Sequence, residues 1–183
     1  MQHLKSNLPT TDPQDEIFPV VNERGEVIGK TTRREAHSNP AIIHPAIGIF
    51  VFSPRGEVLL QKRSATKDLG PNCWTLSVGG HIGYGTTPIE TAIREASEEI
   101  GIAIEPEQLT LLGELVSKTA EETEYWYVYR CDLTREVELV PNPQEVAELR
   151  FVSLDELRRM ISDPAIEWSE DPKMLIQKFI LNN

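Results

Sequence analysis

Apolar positions along this chain recur at two different periods, and the change between them separates strands from a helix. From Ile17 the order is IFPVV, NERG, EVIGK: two short apolar segments about a turn, with Gly25 free to take positive φ. This predicts an N-terminal β-hairpin. AIGIFVF (46–52) and EVLLQKR (57–63) flank the turn-forming SPRG and read as a second strand pair. Over 88–100 the period lengthens: Ile89, Ala92, Ile93, Ala96 and Ile100 recur at steps of three and four, the stripe of an amphipathic helix. Thr87, Pro88 and Glu90 make a capping box with proline at the first helical position, and Gly101 is a suitable stop. Further β-rich segments follow at 109–117, at 124–131 (EYWYVYRC) and near 148–153. A short helix is predicted to about Ile161, and a last one after Asp171-Pro172, with Met174, Leu175, Phe179 and Ile180 inward. Strands interleaved with helices predict an α/β fold, a mixed sheet covered on both faces. Residues 1–15 are polar, contain two prolines and lack periodicity, which predicts a flexible arm before a single domain over 16–183.

Composition narrows the function. The chain of 183 residues has 29 acidic against 18 basic side chains, a formal net charge of −11. That balance gives no general attraction to a phosphate backbone, so nucleic acid is not an expected partner. A small anionic ligand would need a metal or clustered lysines and arginines. Cys73 and Cys131 lie far apart, fitting neither a disulfide framework nor a thiolate zinc site. No run approaches the roughly 20 apolar residues of a membrane span, and the first residues lack the apolar core of a signal peptide. A cytoplasmic protein without membrane association is expected.

The polar face of the helix carries the chemistry. Arg94, Glu95, Glu98 and Glu99 follow the glycine-rich loop GGHIGYG. At 100° per residue the three carboxylates fall within roughly 100° of arc. Like charges so spaced repel by a few tenths of a kcal/mol per pair. Two readings fit: a solvated acidic face, or a cluster compensated by a hard divalent ion such as Mg²⁺ or Mn²⁺, as diphosphate chemistry needs.

The stretch GHIGYGTTPIETAIREASEEIGI, Gly80 to Ile102, resembles the Nudix box: Gly, five residues, Glu, seven residues, then Arg-Glu-apolar-x-Glu-Glu-x-Gly-apolar. Gly80, Arg94, Glu95, Ala96, Glu98, Glu99, Gly101 and Ile102 fill the pattern, and Thr86 stands at its first glutamate. The resemblance implies a Nudix α/β/α sandwich and metal-dependent cleavage of a nucleoside diphosphate linked to another moiety. It makes Glu95, Glu98 and Glu99 metal ligands, with one of them as general base and Arg94 beside them. The missing glutamate is a helper that pairs with the box arginine. Glu90, four residues before Arg94, is positioned to take over that pairing.

From about Phe18 to Leu133 the chain is also similar to type I isopentenyl-diphosphate isomerase of the same superfamily, through REAHSNPAIIH, QKRSATKDLGPNCWTLSVGGH and EETEYW. That resemblance implies a second divalent metal site on His37, His44, His81, Glu122 and Glu124, and diphosphate-binding cations at Arg33, Arg63 and Lys67. The isomerase's catalytic cysteine matches Gly79, and glycine has no proton to transfer. The expected activity is therefore that of a Nudix hydrolase of the isomerase-like subgroup, a pyrophosphohydrolase acting on a small-molecule organic diphosphate. Isopentenyl-diphosphate isomerase and a catalytically weak nucleotide- or metabolite-binding module are the alternatives. Trp74, Tyr84, Trp126 and Tyr127 are candidates to stack on a base, cover an apolar tail or fill the core. Monomer and homodimer are both compatible with the sequence.

Overall fold

A computed structural model of the chain describes residues 10 and 12–182. The first hairpin forms as the pattern predicts. Strands β1 (Ile17–Val21) and β2 (Val27–Thr32) pair antiparallel about a turn in which Gly25 has φ 77°. Asn22 Oδ1 accepts from the backbone N–H groups of Arg24 and Glu26, so one side chain closes the reversal. β2 leads into α1 (Arg33–Ala36), one turn opened by a capping box of Thr32 and Glu35.

The centre of the molecule is β3 (Ile43–Phe52), buried almost throughout. It runs parallel to β8 (Thr123–Asp132) and antiparallel to β6 (Val78–His81). β7 (Leu109–Lys118) extends the sheet beyond β8, while β5 (Trp74–Thr75) and β9 (Val146–Val152) flank β4 (Val58–Arg63). Alternate residues of β3 serve opposite cores. Ala46, Phe50 and Phe52 pack with Leu157, Met160 and Ile161 of α3 (Leu154–Ser162) and Leu175 and Ile176 of α4 (Glu170–Ile176). Ile47, Ile49 and Val51 pack with Ala92, Ala96 and Ile100 of α2 (Pro88–Ile100). A sheet between two helical layers is the expected sandwich.

Four expectations change. The second strand pair is no extended hairpin: β3 and β4 share only Phe52↔Val58. Beyond it the Ser77 hydroxyl accepts from Val51 N–H and donates to Leu59 C=O, wedging the strands apart. On α2 the inward face is Thr91, Ala92, Ala96, Glu99 and Ile100, with Ile89 39% exposed. The core thus meets the helix at an angle that takes a glutamate inward and turns Ile89 out. α4 begins one turn-position early, with Ser169 as N-cap and Pro172 inside the first turn, where its missing N–H has no helical partner to lose. Leu175 and Ile180 are buried as expected, with Met174 and Phe179 half-buried against the same core. Finally, the proposed arm falls mostly outside the described residues, but its end is not loose: Asp12 is buried. Among the described residues no helix is long and apolar enough to cross a membrane.

Candidate active site

β6 delivers the chain through the glycine-rich loop to the N-terminus of α2, and this order places backbone and carboxylates in contact. A Cβ on Gly80 would collide with the carboxyl group of Glu95, so only glycine lets the strand lie this close. The capping box forms as predicted: Glu90 Oε2 accepts from Thr87 N–H (2.9 Å) and from the Thr87 hydroxyl (2.7 Å). This commits Glu90 to the helix start. The expected Glu90–Arg94 pairing is therefore not made. Arg94 instead donates to Glu95 Oε1 (2.7 Å) and Glu98 Oε2 (2.6 Å), bridging two of the carboxylates. Thr86 donates to Gly83 C=O at 2.8 Å and shapes the loop.

The three glutamates occupy different environments. Glu98 is 55% exposed at its side chain and Glu95 15%. Glu99 is buried, and accepts from Gln61 Nε2 at 2.9 Å. Burial, with the Glu95 charge adding, pushes the Glu99 carboxyl up to about 8. Burial likewise raises Glu95 to about 7, against the pull of Arg94. Carboxyls raised in this way stabilise the fold most below their unfolded value of 4.5 and lose that contribution as pH rises through the folded values. Buried His44 and His81 act in the opposite direction, but only below their ordinary value of 6.5. The metal-free protein should therefore lose a few °C of melting temperature between about pH 6.5 and 8. A thermal scan in chelator that stays flat or rises over this interval would contradict neutral, buried Glu95 and Glu99.

On the opposite wall His37, His44, His81 and Glu122 each offer a ligand atom within 4.8 Å of the others. The elements explain the convergence: α1 ends at His37, while the parallel register of β3 and β8 sets His44 beside Glu124. β6 presents His81, whose Nε2 is 3.2 Å from Glu124 Oε1 and 3.3 Å from His37 Nε2. Phe18 stacks on His81 and His44, with ring centroids 4.7 and 5.4 Å apart. His37 Nδ1, both nitrogens of His44 and Glu122 Oε2 are buried without a well-formed hydrogen bond, although Asp68 lies 3.4 Å from His37 Nδ1 and Glu122 Oε2 lies 3.5 Å from His44 Nε2. Buried polar atoms are almost always satisfied, so this many orphans converging in one place fit a cation that takes N and O ligands. Burial lowers His44 and lowers His81 strongly, keeping both imidazoles neutral as ligands must be. Against the upward push of burial, the facing His44 and His37 hold Glu122 below its ordinary value. Glu124 is raised well above it by burial and by the Glu122 charge.

Both groups face one cavity of about 440 Å³, to which Arg63, Lys67 and Gly79 also contribute. Gln61 of β4 and Gly79 of β6 both line it. Arg33 is ion-paired to Asp12 (3.4 Å), Glu16 (3.3 Å) and Asp68 (3.2 Å), and Lys67 to Asp12 and Glu145. Arg63 Nε donates to Leu69 C=O at 3.0 Å. Trp126 lies in the core and also lines the cavity, and Trp74 packs half-buried against that core. Tyr127 packs half-buried on the other core, whereas Tyr84 is 55% exposed, beside Lys30.

Sequence reasoning missed Asp12, Phe18, Asp68 and Asp171. Asp68 faces both Arg33 and His37 Nδ1, the latter at 3.4 Å, and these partners hold its carboxyl far below the ordinary range in spite of burial. Asp171 accepts from the Ser117 hydroxyl at 2.5 Å and is raised by burial. None of the four stands at a diagnostic spacing from its partners.

Comparison with known proteins shows the family and the fold. The NUDIX domain family profile matches residues 42–175. An uncharacterized Nudix hydrolase of Listeria monocytogenes is 34% identical over 152 residues, covering 80% of this chain and 85% of that protein. The chloroplastic isopentenyl-diphosphate Delta-isomerase I of Arabidopsis thaliana is 29% identical over 194 residues, covering 92% of this chain and 66% of that enzyme. The crystal structure of a Deinococcus radiodurans protein is similar with a TM-score of 0.76, over 90% of this chain and 99% of that one, at 25% identity.

Proposed function

The chain belongs to the NUDIX domain family, and from that premise we propose that it is a metal-dependent hydrolase of an organic diphosphate, in the isomerase-like subgroup. The observation that carries the proposal is the carboxylate trio on one wall of the cavity: Glu95 and Glu98 held together by Arg94, with Glu99 buried behind them on Gln61.

Glu95, Glu98 and Glu99 would hold Mg²⁺ or Mn²⁺. When bound, such an ion neutralises diphosphate oxygens and makes water nucleophilic near neutral pH. The residues of the chain do the rest. Arg94 fixes two carboxylates with charge-assisted hydrogen bonds and offsets their mutual repulsion. Gln61 holds Glu99 in one orientation. One carboxylate, Glu98 or Glu99, would accept the single proton that the attacking water gives up. Arg33, Arg63 and Lys67 supply positive charge to the phosphates, an electrostatic contribution that grows where water is excluded. His37, His44, His81, Glu122 and Glu124 would hold a second divalent ion on the facing wall.

A second reading, isopentenyl-diphosphate isomerase, is favoured by that His/Glu cluster and by the similarity to the Arabidopsis enzyme. Against it stands Gly79, which offers β6 no proton donor. A binding module that does not turn over its ligand is the third.

The test is cleavage with Mg²⁺ or Mn²⁺ of nucleoside diphosphate derivatives, nucleoside triphosphates and isopentenyl diphosphate, read as the phosphomonoester, pyrophosphate or phosphate formed, alongside isomerisation of the last and a Glu98→Gln control. Hydrolysis of one class, lost in the control, is the expected result. Isomerisation without hydrolysis of any of these compounds would replace the hydrolase reading with the isomerase. Ligand-induced thermal stabilisation without turnover would replace it with the binding module.

A further inference from the structure

The segment from Asp12 to Glu16, ahead of β1, contributes no strand or helix yet places its one buried side chain, Asp12, at the cavity wall. Four donors converge on that carboxylate. Lys67 Nζ and Arg33 Nη2 (3.4 Å) supply charge, and Asp68 N–H (3.0 Å) and the Thr10 hydroxyl (3.1 Å) supply hydrogen bonds. Two cations, a backbone N–H and a hydroxyl about one anion make a seat for a phosphoryl oxygen as readily as for a carboxylate. Glu16, from the same segment, adds a second carboxylate to Arg33 at 3.3 Å. The segment thus furnishes two of the three carboxylates on Arg33 and one of the two on Lys67. The seat and the carboxylate wall share one cavity, which Asp12, Arg33, Lys67 and Glu99 all line.

We propose that residues 12–16 form a pseudosubstrate strap: Asp12 occupies the anion seat of Arg33, Lys67 and Asp68 N–H, and a substrate phosphate must displace it to bind. The inference rests on the proposed role of Arg33 and Lys67 in diphosphate binding.

The anchoring is suited to release. Asp12 is buried, while Pro13 and Asp15 are exposed and Gln14 and Glu16 half-exposed, so the strap holds by one buried side chain, two partly exposed ones, Gln14 on Asp68 and Glu16 on Arg33, and a few backbone contacts. Gln14 C=O accepts from Arg34 N–H at 3.2 Å and Glu16 C=O from Arg33 N–H at 2.8 Å. Without the strap Arg33 keeps only Asp68 and Lys67 only Glu145, and the donors that faced Asp12 are left open to a phosphoryl oxygen. Strap and diphosphate then compete, and each weakens the other by the same factor.

The probe is imidodiphosphate with Mg²⁺, which the full chain should bind at this seat. At saturation, amide exchange over residues 12–16 of the unmodified protein should accelerate roughly tenfold, and Asp12→Asn should bind the probe roughly tenfold more tightly. Exchange that slows or stays unchanged at saturation, or an Asp12→Asn variant that binds no better, overturns the strap. The exchange experiment needs no variant, so it decides the matter even where Asp12→Asn does not fold. Lys67→Gln tests the reading beneath: if it weakens the probe while the strap stays protected, only the strap fails. If Lys67→Gln binds the probe as tightly as the parent, the phosphate-binding role fails and the strap with it.

Discussion

Replacing Glu99 with glutamine is expected to lower metal-dependent turnover by about a thousandfold while leaving the fold intact. The magnitude follows from position: groups that merely support a metal ligand already cost about 10–100-fold when removed, and Glu99 is proposed as a ligand itself. Retention of the fold follows from environment. Burial raises Glu99 to about 8, so the metal-free protein at neutral pH already carries an uncharged group there. Glutamine copies that group in shape and keeps an oxygen to accept from Gln61. Stability at pH 8 should accordingly match or exceed the parent's, because the variant has no charge to bury. The checks are kcat on whichever substrate class the cleavage panel reveals and a melting curve at pH 8. Turnover within tenfold of the parent would remove Glu99 from the reaction.

The second large effect concerns the His/Glu wall. A divalent transition metal in about thousandfold excess over its dissociation constant contributes about 4 kcal/mol. For a chain of this size that is about 10 °C in melting temperature. Mn²⁺ or Zn²⁺ should produce that shift in the parent and in Glu99→Gln, whose His/Glu cluster is untouched. Glu122→Gln should abolish most of it, since an amide oxygen is a poor substitute for a carboxylate between His37 and His44, 3.3 and 3.5 Å away. Metal content measured by elemental analysis should fall in parallel. If Glu122→Gln keeps both the shift and the metal, the four orphaned atoms of this cluster do not form a metal site.

The hairpin at Ile17, the cap and stop of α2, and the helical stripe were legible because each depends on neighbours within a few residues. A capping box spans four positions, and a C-terminal glycine with φ 73° acts where it stands. The carboxylates of α2 were legible for the same reason, since helical geometry alone puts them on one face. The pairing of Arg94 was not. Two acceptors, Glu90 and Glu98, lie four residues away on either side, and local spacing cannot choose between them. The capping box decided it by taking Glu90 for the helix start.

Sequence by itself determined the local elements, the acidic face and the identity of the histidines and glutamates that meet across the cavity. Tertiary structure alone decided how deep each group lies and what it faces. Glu99 turned inward because α2 meets the sheet at an angle its own periodicity does not specify. Ser77 parted β3 from β4 by bonding across 26 and 18 residues of sequence. Asp12 reached Lys67 from 55 residues away and turned the end of an apparent arm into part of the site wall. The physical reason is common to all three. Desolvation and long-range ion pairing depend on which distant segments pack together, and no spacing within one segment encodes that.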